Sequence, residues 1–201
     1  MPHITHLQKD KILRSIIADQ DKHVIEKQNH LHLRLCASII SQQLNTRVAD
    51  VIYGRFLQLF KKKTPSTKDI LAVDFELLKS IGLSNAKTNY VRNVCNFFIE
   101  HKLTDAKLHK MADEDLLNLL TQIKGVGKWT VEMLLMFTLG REDVFAIDDL
   151  VIQQTMAKAY ALNIADKKML KEQMIQHSNK WKPYRTYACK YLWGWRDIEG
   201  K

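Results

Sequence analysis

The chain has 201 residues, enough to bury a real core, either as one large domain or as two lobes of about 100 residues each. Its 31 lysines and arginines outweigh 22 acidic residues, and the net charge of +9 suits a polyanionic partner, nucleic acid first among them. No apolar run reaches the roughly 18 residues that a membrane span needs, and the start MPHITHLQKDK has no signal-peptide core. A membrane protein is therefore excluded, and an intracellular one is expected: cytoplasmic and nucleoid-associated in a bacterium, nuclear in a eukaryote.

Cys36, Cys95 and Cys189 are odd in number and far apart in apolar helical settings, which predicts reduced, buried thiols and no disulfide. The eight histidines are scattered, with no Cys-x-x-Cys or His-x-x-x-His spacing to hold zinc or an iron–sulfur cluster.

Only three prolines and seven glycines occur, and apolar residues recur at intervals of three and four almost throughout, so the prediction is an all-α fold. A first helix is expected at about residues 6–18, with Ile12, Leu13, Ile16 and Ile17 on one face and Leu7 towards its edge. The polar bend DQDKHVIEKQNH follows. Residues 31–44 read as a core helix ending in Ser41, Gln42 and Gln43, then Leu44 and Asn45; two glutamines closing a buried helix are unusual. A helix over 46–60 leads to the solvated break KKKTPST, where Thr67 is a plausible N-cap for KDILAV. Residues 75–81 form a short helix stopped by Gly82. Ser84 caps a long helix to His101 whose Ala86, Tyr90, Val91, Val94, Cys95 and Phe98 are expected to face inward.

ADEDLLNLL puts acidic residues in a first helical turn and leads into IKGVGKWTVEM. Gly125 and Gly127 flank Val126, so both can take positive φ and the backbone there can turn tightly and approach an external ligand. Trp129, Met133, Leu134, Met136 and Phe137 then recur at helical spacing, so the N–H groups after Gly127 open an uncapped helix, a ready anion site. Taken alone, such a glycine pair also serves as an ordinary helix–helix turn. Asp148 and Asp149 precede a helix over 150–160, and one of them serves as its N-cap. A further helix is expected over 167–177. The closing run WKPYRTYACKYLWGWRDI holds three of the four tryptophans, which points to core packing and leaves room for a pocket wall.

With ISQQL, GLSNAKTNYV, IKGVGKWTVEM, DVFAIDDLVIQ and WKPYRTYACKYLW in this order, the chain resembles the helix-hairpin-helix superfamily of DNA glycosylases, in its 3-methyladenine DNA glycosylase II branch. The resemblance implies two all-helical lobes with a helix-hairpin-helix motif beside the cleft between them. One lobe would be a helical barrel of residues 31–138 including the hairpin at 116–138, and the other residues 1–30 with 139–201. Only about 30 residues precede the first motif, so the expectation is a short form without the N-terminal α/β domain of larger members.

The implied activity is hydrolysis of the N-glycosidic bond of alkylated bases in double-stranded DNA, of the 3-methyladenine and 7-methylguanine type, in base excision repair. Leu44 matches the wedge that fills the hole left by the flipped nucleotide, and Gln43 beside it reaches base edges or caps its helix. Asp149 matches the carboxylate that stabilises the oxocarbenium-like sugar, leaving Asp148 as cap or neighbour. Trp129, Trp193 and Met133 match the base pocket, where indole favours a cationic base by roughly 0.5–2 kcal/mol. Met133 stands where a close relative has tyrosine. Trp129 also occupies the position of the Schiff-base lysine of lyase-active relatives, so a monofunctional enzyme is expected. Gly125, Gly127, Lys128 and Thr130 are the expected DNA-backbone contacts. The carbonyls of Thr121, Ile123 and Val126 are the expected ligands of a structural Na⁺ or K⁺, with no other cofactor. Lys124 replaces the proline usual at this turn. A monomer is expected, since no coiled-coil heptads appear. Two alternatives remain at this point: a non-catalytic helix-hairpin-helix DNA-binding protein, and a glycosylase for uracil, hypoxanthine or mismatched bases.

Overall fold

The computed structural model describes the backbone of residues 1–199 and the side chains of residues 1–196. These residues form thirteen α-helices and no strand, so the fold is all-α. The chain divides into two compact units, residues 1–27 with 135–201 and residues 28–134.

The chain opens with α1 (Pro2–Leu7) and α2 (Lys11–Ala18) rather than with one helix over 6–18. Asp10 is the reason for the break. It sits in extended conformation (φ −79°, ψ 118°), and its Oδ1 accepts the N–H groups of Ile12 and Leu13 at 2.9 and 3.2 Å, so a cap replaces a helical turn. Its Oδ2 accepts the Tyr160 hydroxyl at 2.9 Å and Trp181 Nε1 at 3.2 Å. The predicted apolar face is present in α2, where Leu13, Ile16 and Ile17 are buried; Leu7 is buried on α1.

Unit 28–134 contains α3 (Leu31–Ser41), α4 (Thr46–Gln58), α5 (Thr67–Leu71), α6 (Phe75–Ser80), α7 (Asn85–Glu100), α8 (Asp105–Lys110), α9 (Asp113–Leu120) and the first part of α10 (Lys128–Phe137). α7 packs on α3 and α5. Leu35, Cys36, Ile39 and Ile40 of α3 and Val91, Val94, Cys95 and Phe98 of α7 are all buried there. The Cys36 thiol is pushed well above its ordinary pKa by its hydrogen bond with the Cys95 thiol and by burial, and Cys36, Cys95 and Cys189 form no disulfide. Ser84 caps α7 as expected. Thr88, fully buried, takes the inward position expected of Ala86, which is exposed. The cap of α5 is Ser66 rather than Thr67, because Asp69 lies three residues on and completes a capping box with it. α8 is an element that the sequence pattern does not announce. Its Asp105 caps α3 from a distance, accepting the N–H groups of His30 and Leu31 at 2.6 and 3.1 Å.

The other unit is completed by the end of α10, α11 (Leu150–Tyr160), α12 (Lys167–Asn179) and α13 (Arg185–Glu199). α13 packs on α11 and α2, so the aromatic run near the C-terminus is core: Trp181 and Tyr191 are fully buried and Tyr187 nearly so. Trp193 is half-buried. Among the described residues no helix is long and apolar enough to cross a membrane.

Candidate nucleic-acid interface and active site

The hairpin between α9 and α10 is anchored from below by Ile123 and Val126, both buried, and closed by the Val126 N–H donating to the Ile123 carbonyl at 2.9 Å. Its two glycines differ. Gly125 has φ +105°, and a Cβ there would lie 2.6 Å from Cβ and Cδ2 of Tyr90 and closer still to its Cγ. Gly127 is not in the left-handed region, contrary to expectation, and nothing lies within 4 Å of the place its Cβ would take. The first glycine is therefore required by packing inside the protein, and the second leaves the surface bare.

Gly127 offers its carbonyl to the Val131 N–H at 3.2 Å, so it stands at the start of α10 and brings no side chain of its own to that end of the helix. Thr130, expected as a DNA-backbone contact, is buried, so its side chain is withdrawn from the surface. Lys128 forms an ion pair with Glu132 at 3.7 Å, and Lys124 is exposed at the tip, its carbonyl held by Asn93 Nδ2 at 3.2 Å. The hairpin carbonyls of Thr121, Ile123 and Val126 are hard oxygen donors of the kind an alkali cation takes. Among the described residues no group of three or more His, Cys, Asp or Glu is placed to hold a metal ion.

Also in unit 28–134, α3 ends in a turn that joins it to α4. Gln42 is the C-cap (φ −49°, ψ 130°), and its side-chain amide donates to the Gly125 carbonyl at 3.1 Å. Gln43 is exposed and left-handed at φ 58°, so it does not cap the helix. The last carbonyls are served instead by the Lys87 ammonium, which donates to those of Ile40 and Gln42 at 2.9 and 2.6 Å. Leu44 follows with 37% of its surface exposed, and Asn45 caps α4.

In the other unit, the segment from Arg141 to Asp149 hangs from the first turn of α13. Arg185 donates to both carboxylate oxygens of Asp143 at 2.7 and 2.9 Å and to its carbonyl at 2.9 Å. The Thr186 hydroxyl donates to the Arg141 carbonyl at 2.7 Å and accepts the Val144 N–H at 3.0 Å, while the Tyr187 hydroxyl reaches Glu142 at 2.8 Å. Burial and then the Glu142 hydrogen bond push the Tyr187 pKa up.

This anchoring delivers Asp149, not Asp148, to the cap of α11. Asp149 Oδ1 accepts the Ile152 N–H at 2.9 Å and Trp193 Nε1 at 3.1 Å, and the residue is 8% exposed. Asp148, expected as the cap or a neighbour, is exposed and pairs with Lys171 at 2.6 Å. One carboxylate is thus fixed by two N–H donors and shielded from water, where its field is least screened, and the other is solvated.

Trp193 ties a second expected residue to this acid. Its ring also lies 5.7 Å from that of Phe137, which is 41% exposed. On α10, Trp129, Met133 and Phe137 recur every four residues and so share one face of the helix. Trp129 is 42% exposed and Met133 half-buried. In the sequence Phe137 reads only as part of a helical repeat. Its spacing from Trp129 is the signal that it extends the same aromatic face.

Comparison with known proteins gives consistent results. The family model described as HhH-GPD superfamily base excision DNA repair protein matches residues 36–183. A Schizosaccharomyces pombe protein named DNA-3-methyladenine glycosylase 1 is 35% identical over 161 residues, 79% of this chain and 69% of that protein. A Bacillus subtilis protein named putative DNA-3-methyladenine glycosylase YfjP is 35% identical over 167 residues, 80% of this chain but only 56% of that protein. The solved structure of Schizosaccharomyces pombe 3-methyladenine DNA glycosylase (Mag1) in complex with abasic DNA superposes with a TM-score of 0.82 at 29% identity, covering 99% of this chain and 97% of that one.

Proposed function

We infer that this chain, which belongs to the HhH-GPD superfamily of base excision DNA repair proteins, is a DNA glycosylase that excises alkylated bases from duplex DNA by hydrolysis and leaves an abasic site. The single observation that carries the chemistry is the Asp149 carboxylate, held by the Ile152 N–H and the Trp193 indole. Departure of a base leaves positive charge on the deoxyribose, and a carboxylate already fixed in place stabilises that charge without reorganising. Water then attacks the cationic sugar carbon and loses a proton, giving the hydroxyl of the abasic site.

The other roles follow the physics of the reaction. The N–H groups opening α10, with Gly127 bare beside them, seat a DNA phosphate, and Lys128 adds charge. A monovalent cation on the carbonyls of Thr121, Ile123 and Val126 would add positive charge beside the same phosphate. Leu44 enters the stack as the target nucleotide leaves it, with Gln43 against neighbouring base edges. Trp129, Met133 and Trp193 are each proposed to contact the extruded base, and indole favours one that is methylated and cationic. With Trp129 where lyase-active relatives carry a lysine, no amine attacks the sugar and the strand stays intact. The protein acts as a monomer on DNA, within the compartment that holds the chromosome.

Asp149→Asn is the decisive variant, because asparagine caps a helix as well as aspartate and still accepts an N–H. The charge is lost, while the remaining oxygen can still accept the Ile152 N–H and the Trp193 indole. With duplexes carrying methylated bases, single-turnover release should fall by roughly 10²–10³-fold while melting temperature and DNA affinity hold. Asp148→Asn should leave the rate unchanged. Hot alkali should be needed to break the strand; cleavage without it would overturn the monofunctional reading. Release of uracil or hypoxanthine but not of methylated bases would redirect the substrate class, and release from no duplex would leave a DNA-binding protein.

A further inference from the structure

Lys87 is oddly placed for its charge. It is the third residue of α7, where the positive end of the helix dipole disfavours an ammonium, and it is half-buried. Its side chain reaches instead to the end of α3 and donates to the carbonyls of Ile40 and Gln42 at 2.9 and 2.6 Å, at the negative end of that helix. The next residue, Gln43, is left-handed at φ 58°, a conformation that a non-glycine residue holds only when its surroundings impose it. Leu44 then stands exposed, and the Gln42 amide ties the same turn to the carbonyl of Gly125 in the hairpin. All of these residues lie in unit 28–134.

We propose that Lys87 is the positioning residue of the wedge: by closing the end of α3 over two carbonyls it forces the turn that presents Leu44, and through Gln42 it locks that turn to the phosphate-binding hairpin. Wedge and hairpin thereby move as one body, so that seating the hairpin on the backbone aims Leu44 at the base stack. Burial lowers the Lys87 pKa from its ordinary value, as expected for an ammonium drawn out of water to serve an internal contact. This inference rests on the reading of Leu44 as the wedge.

The test compares the wild-type chain with Lys87→Met, Lys87→Arg, Gln42→Ala, Leu44→Ala and the Lys87→Met/Leu44→Ala double variant. Three quantities are read: affinity for undamaged duplex, single-turnover excision of a methylated base, and the fluorescence rise of a 2-aminopurine placed next to that base, which reports unstacking. Lys87→Met should lose roughly 10- to 100-fold in excision, the scale of a misplacement of about 1 Å, and most of the fluorescence rise, with undamaged-duplex affinity within about twofold of wild type. Lys87→Arg, which can still serve two carbonyls, should recover most of both, and Gln42→Ala should lose less than Lys87→Met. The double variant should be no slower than the worse single one.

Affinity falling in step with excision would make Lys87 an ordinary phosphate contact and overturn the proposal, as would losses that multiply in the double variant. If Leu44→Ala is slow and Lys87→Met is not, the clamp fails while the wedge stands. If Leu44→Ala excises normally while Asp149→Asn does not, the wedge reading itself fails, and the clamp with it.

Discussion

Replacing the two hairpin glycines one at a time should give opposite phenotypes. Alanine at 125 must hold φ +105° and place its methyl within 2.6 Å of Tyr90 carbons. The backbone contributes a cost of roughly 1–2 kcal/mol and the overpacked ring a further 1–3, so Gly125→Ala should destabilise the fold by about 2–5 kcal/mol. For a chain of this size that corresponds to a fall in melting temperature of roughly 4–20 °C. Part of the strain is steric, so Tyr90→Ala in the same chain should make the double variant more stable than the two separate losses imply, by about 1–3 kcal/mol. Alanine at 127 meets nothing within 4 Å and needs no unusual φ, so its effect on stability should stay within about 1 kcal/mol. On the proposed phosphate seat, its methyl instead stands beside the start of α10, in the way of the incoming phosphate. Duplex affinity by fluorescence anisotropy at fixed salt should drop at least about tenfold, equivalent to roughly 1.4 kcal/mol. Gly127→Ala binding DNA like wild type would refute the hairpin as the phosphate seat, and Gly125→Ala melting like wild type would refute the packing argument at Tyr90.

Asp10 and Lys124 offer two further tests. Asp10→Ala removes the α2 cap, worth about 1 kcal/mol, and leaves the Tyr160 hydroxyl and the buried Trp181 indole without their acceptor, at about 1–3 kcal/mol each; the denaturant midpoint should fall accordingly with an unchanged slope. Burial works against ionisation of Asp10, but hydrogen bonds from Trp181, Leu13, Tyr160 and Ile12 win and hold its pKa below the ordinary 3.8. A carboxyl lowered on folding contributes stability above its unfolded value and loses it as pH falls towards the folded one, so Asp10→Asn should flatten the loss of stability below about pH 4, and an unchanged acid profile would refute this assignment. Lys124→Gln, at the exposed hairpin tip, should weaken binding uniformly across sequences and reduce the log–log salt slope by about one, leaving excision at saturating enzyme unchanged.

How far the sequence could be read depends on the range of the forces involved. Apolar spacing finds helices because burial acts on each turn independently, and so α7, α10 and the buried face of α2 were legible. Caps compete locally and are less so: Ser66 and Thr67 are both capable, and what decides between them is Asp69, three residues from the first and two from the second. That signal was present in the sequence. Asp10 could not be read this way, because the break it makes also depends on Tyr160 and Trp181, 150 and 171 residues further along. The same limit hid Lys87, whose partners lie 47 and 45 residues back.

The acidic pair shows what kind of information was missing. Asp148 and Asp149 are chemically identical, and local rules say only that one of them caps α11. The phase is set from elsewhere, by Arg185 gripping Asp143 and Thr186 bridging Arg141 and Val144, and it is tightened by the Asp149 N–H donating to the Ala146 carbonyl at 3.1 Å. A slip of one residue there would turn the capping carboxylate out towards Lys171 and bring its neighbour in. The position of the buried charge therefore depends on the start of α13, and Trp193 two turns further along the same helix is its second support. Acid and indole are set by one element, which is why the chemistry is better sought in their contact than in the aspartate alone.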